Sequence, residues 1–138
     1  MSGDDALEEG YQRLLRLCDD LEAIADSLPR HIDPAVCRDV AARLPSTLLA
    51  VHRLEDKILF PAITAARYPD EGQLLIDRLR DEHRHDTDAA GQVARVLKEL
   101  LHARSPHSWE AIGYMLRAFF ETVRRHVATE RLLLEERI

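Results

Sequence analysis

The chain has 138 residues, of which 46% are hydrophobic, 5% aromatic and 32% charged, with a formal net charge of −6. This length suits one domain over residues 1–138 with one apolar core, and a composition rich in Leu, Ala, Arg and Glu but poor in aromatics favours helices over strands. Interleaved acids and bases leave no basic stripe for nucleic acid, no run of about 18 apolar residues offers a membrane span, and an acidic N-terminus unlike a secretory leader makes a cytoplasmic location the expectation.

The first helix is expected over residues 4–28, ending at Pro29-Arg30-His31-Ile32. Asp33-Pro34 then reads as an N-cap followed by proline at the first helical position. The second helix runs from there to about residue 67, with Pro45 and Pro61 inside it, each removing a donor and bending or breaking the helix. Tyr68-Pro69-Asp70 reads as a turn, and a third helix spans residues 71–103. Ser105-Pro106-His107-Ser108 breaks the chain again, and a fourth helix runs from Trp109 to the end. Short connections make neighbours antiparallel, so the expected fold is all-α, an up-down-up-down antiparallel four-helix bundle.

Projected at about 100° per residue, each helix has an apolar stripe, and polar residues fall on it. In the first, Leu7, Leu14, Leu15 and Cys18 surround Tyr11. In the second, His52 and Asp56 lie among Leu48, Leu49, Leu59 and Ile63. The third places His83 among Ile76, Leu79, Ala90, Ala94 and Leu97, with Thr87 one turn on. The fourth places His126 and Glu130 with Ile112, Met115, Phe119 and Leu133. Buried carboxylates cost several kcal/mol unless something positive compensates them, and a buried imidazole needs partners for both nitrogens. Self-satisfying His–carboxylate pairs are one solution; a metal shared by several helices accounts for all these residues together. Imidazole and carboxylate donors suit iron, manganese or zinc. Cys18 and Cys37, far from CxxC spacing, read as reduced, apolar-like residues. His31, His85, His102 and His107 read as surface residues, Trp109 and Phe119-Phe120 as core and helix-entry filling, and Arg124-Arg125 as a solvated face.

The segments His52-Arg-Leu-Glu55-Asp56-Lys-Ile-Leu-Phe60-Pro61, Glu82-His83 and His126-Val-Ala-Thr-Glu130 resemble, in order and spacing, the hemerythrin-like HHE cation-binding domain, over almost the whole chain. The resemblance implies a bundle-core centre of two irons, oxo- or hydroxo-bridged, with His52, His83 and His126 as imidazole ligands and Asp56 and Glu130 as bridging carboxylates. Three positions depart from the family pattern. Tyr11 stands where an opening-helix histidine is usual, as a phenolate ligand or as a core tyrosine bonded to a bridging carboxylate. Thr87 stands where oxygen carriers have a further histidine, with Asp86 about 60° to one side. Asp56 stands for a bridging Glu, with Glu55 beside it as the alternative. A centre poorer in imidazole points away from simple reversible O2 carriage and toward peroxide decomposition or sensing of O2, NO or redox state. Whether the chain is an enzyme stays open. The rival readings are iron storage, buffering or O2 binding without turnover, and a metal-free structural bundle. The expected small ligands are O2, peroxide or NO, and the expected assembly is a monomer or homodimer.

Overall fold

The computed structural model describes residues 3–102 and 105–136, and among these no strand occurs. Helix α1 spans Gly3–Ser27, α2 Pro34–Lys57, α3 Leu59–Ala66, α4 Pro69–Leu101 and α5 Trp109–Glu135. The short α3 prolongs α2, so the five elements form the expected four-helix bundle. Asp33 caps α2, its Oδ1 accepting from the backbone N–H of Ala35 at 3.0 Å and Val36 at 3.3 Å, and Ser108 Oγ accepts from Ala111 N–H at 3.1 Å.

The second helix is not continuous to residue 67. It breaks at Ile58, whose φ and ψ are −116° and −53°. Pro61 explains this: it lacks an N–H for the carbonyl of Lys57, and its ring crowds that oxygen. Pro45, by contrast, lies inside α2 without ending it. Tyr68-Pro69-Asp70 is also not a free turn, because Pro69 is the first residue of α4. Its φ suits that position, and Asp70 and Glu71 complement the helix dipole in the first turn. Ala103 and the last two residues, which the expected third and fourth helices included, lie outside the described residues.

Most of the apolar residues expected to face inward are buried or half-buried, but Leu49 is 45% and Trp109 44% exposed. The stripe of α2 runs through Cys37, Val40, Ala41, Leu44, Leu48 and Val51, which rotates Leu49 outward. Trp109 begins α5 at the bundle's end, where no helix covers it. Helices α1 and α5 are antiparallel, as their ion pairs record. Glu8 accepts from Arg131 Nε at 3.1 Å, Asp19 and Glu22 accept from Arg124 at 2.8 and 3.0 Å, and Asp26 accepts from Arg117 at 2.6 Å. Such exposed pairs contribute little stability each but fix which faces meet.

The apolar interior forms two clusters. The larger follows α1, α2 up to Val51, α4 from Ala90 and α5 up to Val127. The smaller gathers Leu59, Phe60, Ile63, Ile76, Leu79 and Leu133. Along the chain, the buried polar residues Glu55, His83, Asp86 and Glu130 fall between the two clusters, with His52 half-buried beside them. A polar layer thus divides the apolar core. Removing the α2 cap by Asp33→Ala should lower unfolding free energy by about 1 kcal/mol, read by urea denaturation, with no effect on metal content.

Candidate metal centre

The buried positions of each helix follow alternating steps of three and four residues. In α2 the run is 37, 41, 44, 48, 51 and 55, with Val40 buried beside it; in α4 it is 72, 76, 79, 83, 86 and 90, before the buried face widens from Val93 to Leu100. This seam carries Glu55 inward at 1% exposure, His83 at 8% and Asp86 at 6%. Tyr11 of α1 and Glu130 of α5 continue the seams of their own helices and are buried too.

Asp56 is exposed. The inward carboxylate of α2 is Glu55, three residues after His52 rather than four, and the mid-stripe position expected for Asp56 does not hold. The cause is the break at Ile58: Leu59 and Ile63 belong to a separate helix, and their directions do not extend the stripe of α2. Thr87 is likewise exposed, and its hydroxyl donates to the His83 carbonyl at 2.8 Å.

His52, Glu55 and His83 each offer a ligand atom lying within 4.8 Å of the others, the one such group among the described residues. The two imidazoles stack, with centroids 3.9 Å apart and planes 8° from parallel. His83 Nε2 lies 3.1 Å from Glu55 Oε1 and 3.6 Å from Glu130 Oε1. Phe60 closes one side, its ring 5.7 Å from that of His83. Behind Glu55, Tyr11 donates its hydroxyl hydrogen to Oε2 at 2.8 Å, and the Arg131 guanidinium sits 5.8 Å above the Tyr11 ring.

His126 stands beside this group rather than in it. Its Nδ1 is 2.6 Å from Asp86 Oδ2, and its Nε2 is 3.7 Å from Glu82 Oε2. Asp86 and Glu82 were not among the residues singled out as ligands. Asp86 could have been found from the 79, 83, 86, 90 spacing, which includes it and omits Thr87. The histidines expected at the surface, His31, His85, His102 and His107, are all exposed.

The electrostatics follow from burial and crowding. Burial, then the neighbouring His83, pushes His52 down to about 4. Burial also pulls on His83, but the Glu130 and Glu55 carboxylates outweigh it and raise it to about 9. Burial would raise Glu55, yet His83, Glu130 and Tyr11 reverse this and hold it below the usual carboxylate range. Burial and the adjoining Glu55 push Glu130 up, so that it retains a proton. Burial, then Glu55 and Glu130, raises the Tyr11 phenol and keeps it neutral. Asp86 raises His126 by accepting its hydrogen bond. Cys18, pushed up to about 12 chiefly by burial, offers no thiolate.

Protons thus occupy a layer where a cation could sit. The fit of a cation shows in one atom: His83 Nε2 is buried and close to two acids, yet aligned for a hydrogen bond with neither. A ligand nitrogen lacking a partner amid carboxylates is what a metal would complete. Nitrogen and oxygen donors without sulfur suit iron, manganese or zinc.

In metal-free protein the raised His83 contributes stability fully present below pH 6.5 and lost as pH rises through about 9. The lowered His52 contributes stability above pH 6.5 that is lost as pH falls toward 4. The raised Glu130 adds stability that is lost as pH rises from 4.5 through about 9 and so offsets the His52 gain; the melting temperature of the metal-free chain should therefore fall as pH rises from 6.5 through about 9. Because His83 must release its proton to ligate, metal affinity should instead climb as pH rises through this range; affinity independent of pH would contradict the assignment.

Neither the curated proteins nor the solved structures compared with the chain give a match. The family model described as the hemerythrin HHE cation-binding domain matches residues 2–138. With this match over essentially its whole length, the chain belongs to the hemerythrin HHE cation-binding domain family.

Proposed function

We propose that the chain binds non-haem iron, two ions per bundle, and uses it on O2 or peroxide, in peroxide decomposition or in sensing of O2, NO or redox state, rather than in simple reversible O2 carriage. The observation that supports this best is the buried layer that brings His52, Glu55 and His83 together with His83 Nε2 unpartnered. These three would hold one iron, and Glu130 with His126 would hold the second. Mn or Zn would find the same donors acceptable. Iron held by these residues would supply the redox chemistry that reduction of O2 or peroxide requires.

The surrounding residues have separable tasks. Asp86 fixes the ring orientation of His126 through Nδ1 and so leaves Nε2 free to ligate. Tyr11 donates to Glu55 and restrains that carboxylate; its raised pKa and this donated proton favour a positioning role over phenolate ligation. Phe60 and the smaller apolar cluster keep bulk water from one side. The limited imidazole supply supports chemistry over carriage, since Thr87 spends its hydroxyl on the His83 carbonyl and Tyr11 replaces a nitrogen donor.

The deciding measurement is a metal count with an electronic spectrum before and after reduction, followed by peroxide consumption. Two irons and turnover are expected. Two irons without turnover would mean buffering, and a stable, metal-free protein from iron-rich cells would mean a structural bundle. Tyr11→Phe leaves Glu55 short of one donor and should weaken iron affinity by about tenfold, without removing any visible absorption band. A visible band lost in that variant would make Tyr11 a ligand instead.

A further inference from the structure

The side of the bundle between α4 and α5 is open. A groove of about 800 Å³ runs along it, a size within the range of small-molecule sites. Its deeper wall is apolar, formed by Val93, Met115 and Phe119, and it exists because Ala89, Ala111 and Ala118 leave the space unfilled. From Glu110 to Thr122, the ends of its α5 wall, it extends about 18 Å at the helical rise, so its occupant would be elongated.

The groove has a charge sign. Two carboxylates line it, Asp86 near the metal layer and Glu110 at the far end, with His85 and no lysine or arginine among the described residues. Asp86 is 6% exposed and belongs to both places: it lines the groove, and its Oδ2 takes His126 Nδ1 at 2.6 Å. The bond to His126 engages one carboxylate oxygen, Oδ2, and leaves the other for a positive head group in a groove whose second acid, Glu110, adds to the negative sign.

We propose that this groove binds an elongated amphiphile with a basic nitrogen head, the head directed to Asp86 and the apolar body lying along Ala118, Phe119 and Met115. A molecule there touches the carboxylate that orients His126, so occupancy of the groove is communicated to the metal layer through one hydrogen bond. The site does not depend on which metal is bound or on whether turnover occurs.

Isothermal titration of the iron-loaded full chain with decylammonium and with decanoate, each below its aggregation concentration, tests this. Decylammonium should bind one per chain and at least about tenfold more tightly than decanoate. Ala118→Leu fills the groove from an exposed position and should weaken decylammonium by about tenfold or more, with helicity and iron content unchanged. Ala111→Leu gives the same reading at a second position should Ala118→Leu fail to fold. Equal affinity for both amphiphiles, affinity unchanged in both variants, or binding of a basic amphipathic helical peptide with neither amphiphile bound would overturn the proposal.

Discussion

The structure depends on how two buried acids are tolerated in an apolar bundle. Glu55 and Glu130 are almost fully buried side by side with His83, and two carboxylates this close cannot both ionise without a compensating charge. In the metal-free chain protons provide it, one held on Glu130 and another on His83. That arrangement satisfies the net charge but not the geometry, since His83 Nε2 meets neither acid in an aligned bond. A cation bound there would replace these protons and give His83 Nε2 the partner it lacks. The layer is therefore costly as a structural device and economical as a metal site.

Its position follows from helix periodicity. Buried residues recur every 3.5 residues on average, which keeps one seam facing the bundle axis along a long helix. Tyr11, Glu55, His83, Asp86 and Glu130 all occupy that seam, at the same level because α1, α2, α4 and α5 run antiparallel. Pro61 then ends the register of α2, and α3 turns Leu59, Phe60 and Ile63 over the layer. The proline in the Leu-Phe-Pro segment thus has a physical role: it frees the next turn to close the site.

Much of this was readable from residue order. Four helices, their prolines and caps, the inward direction of His52, His83 and Glu130, and a core of imidazole with carboxylate all follow from spacing and composition, and the family match agrees with them. The misplacements along the helix faces have two origins. Projecting residues 34–67 on one axis, across the bend expected at Pro61, lets Leu59 and Ile63 bias the stripe, which favours Asp56 over Glu55 and turns Leu49 inward. A period of 3.6 also drifts about 20° per heptad from the seam, enough to prefer Thr87 to Asp86. For Tyr11 the residue order leaves phenolate ligation and a hydrogen bond to a core carboxylate both open, and the structure shows the second; no projection makes that choice, because the partner Glu55 is 44 residues away and a hydrogen bond between helices depends on their relative placement.

The bundle is also asymmetric around its polar layer. The α1–α5 seam is laced by Glu8–Arg131, Asp19–Arg124, Glu22–Arg124 and Asp26–Arg117, and α4 packs far more extensively on α2 than on α5. The α4–α5 side, carrying alanines, is where a groove reaches Asp86 of the layer. His52, Glu55 and His83 are anchored on the tightly packed α2–α4 side, whereas His126 is held by Asp86 on the open side. Three side chains on one flank and a single hydrogen bond on the other make the two sides of the polar layer unequal, and the groove opens beside the flank that Asp86 holds.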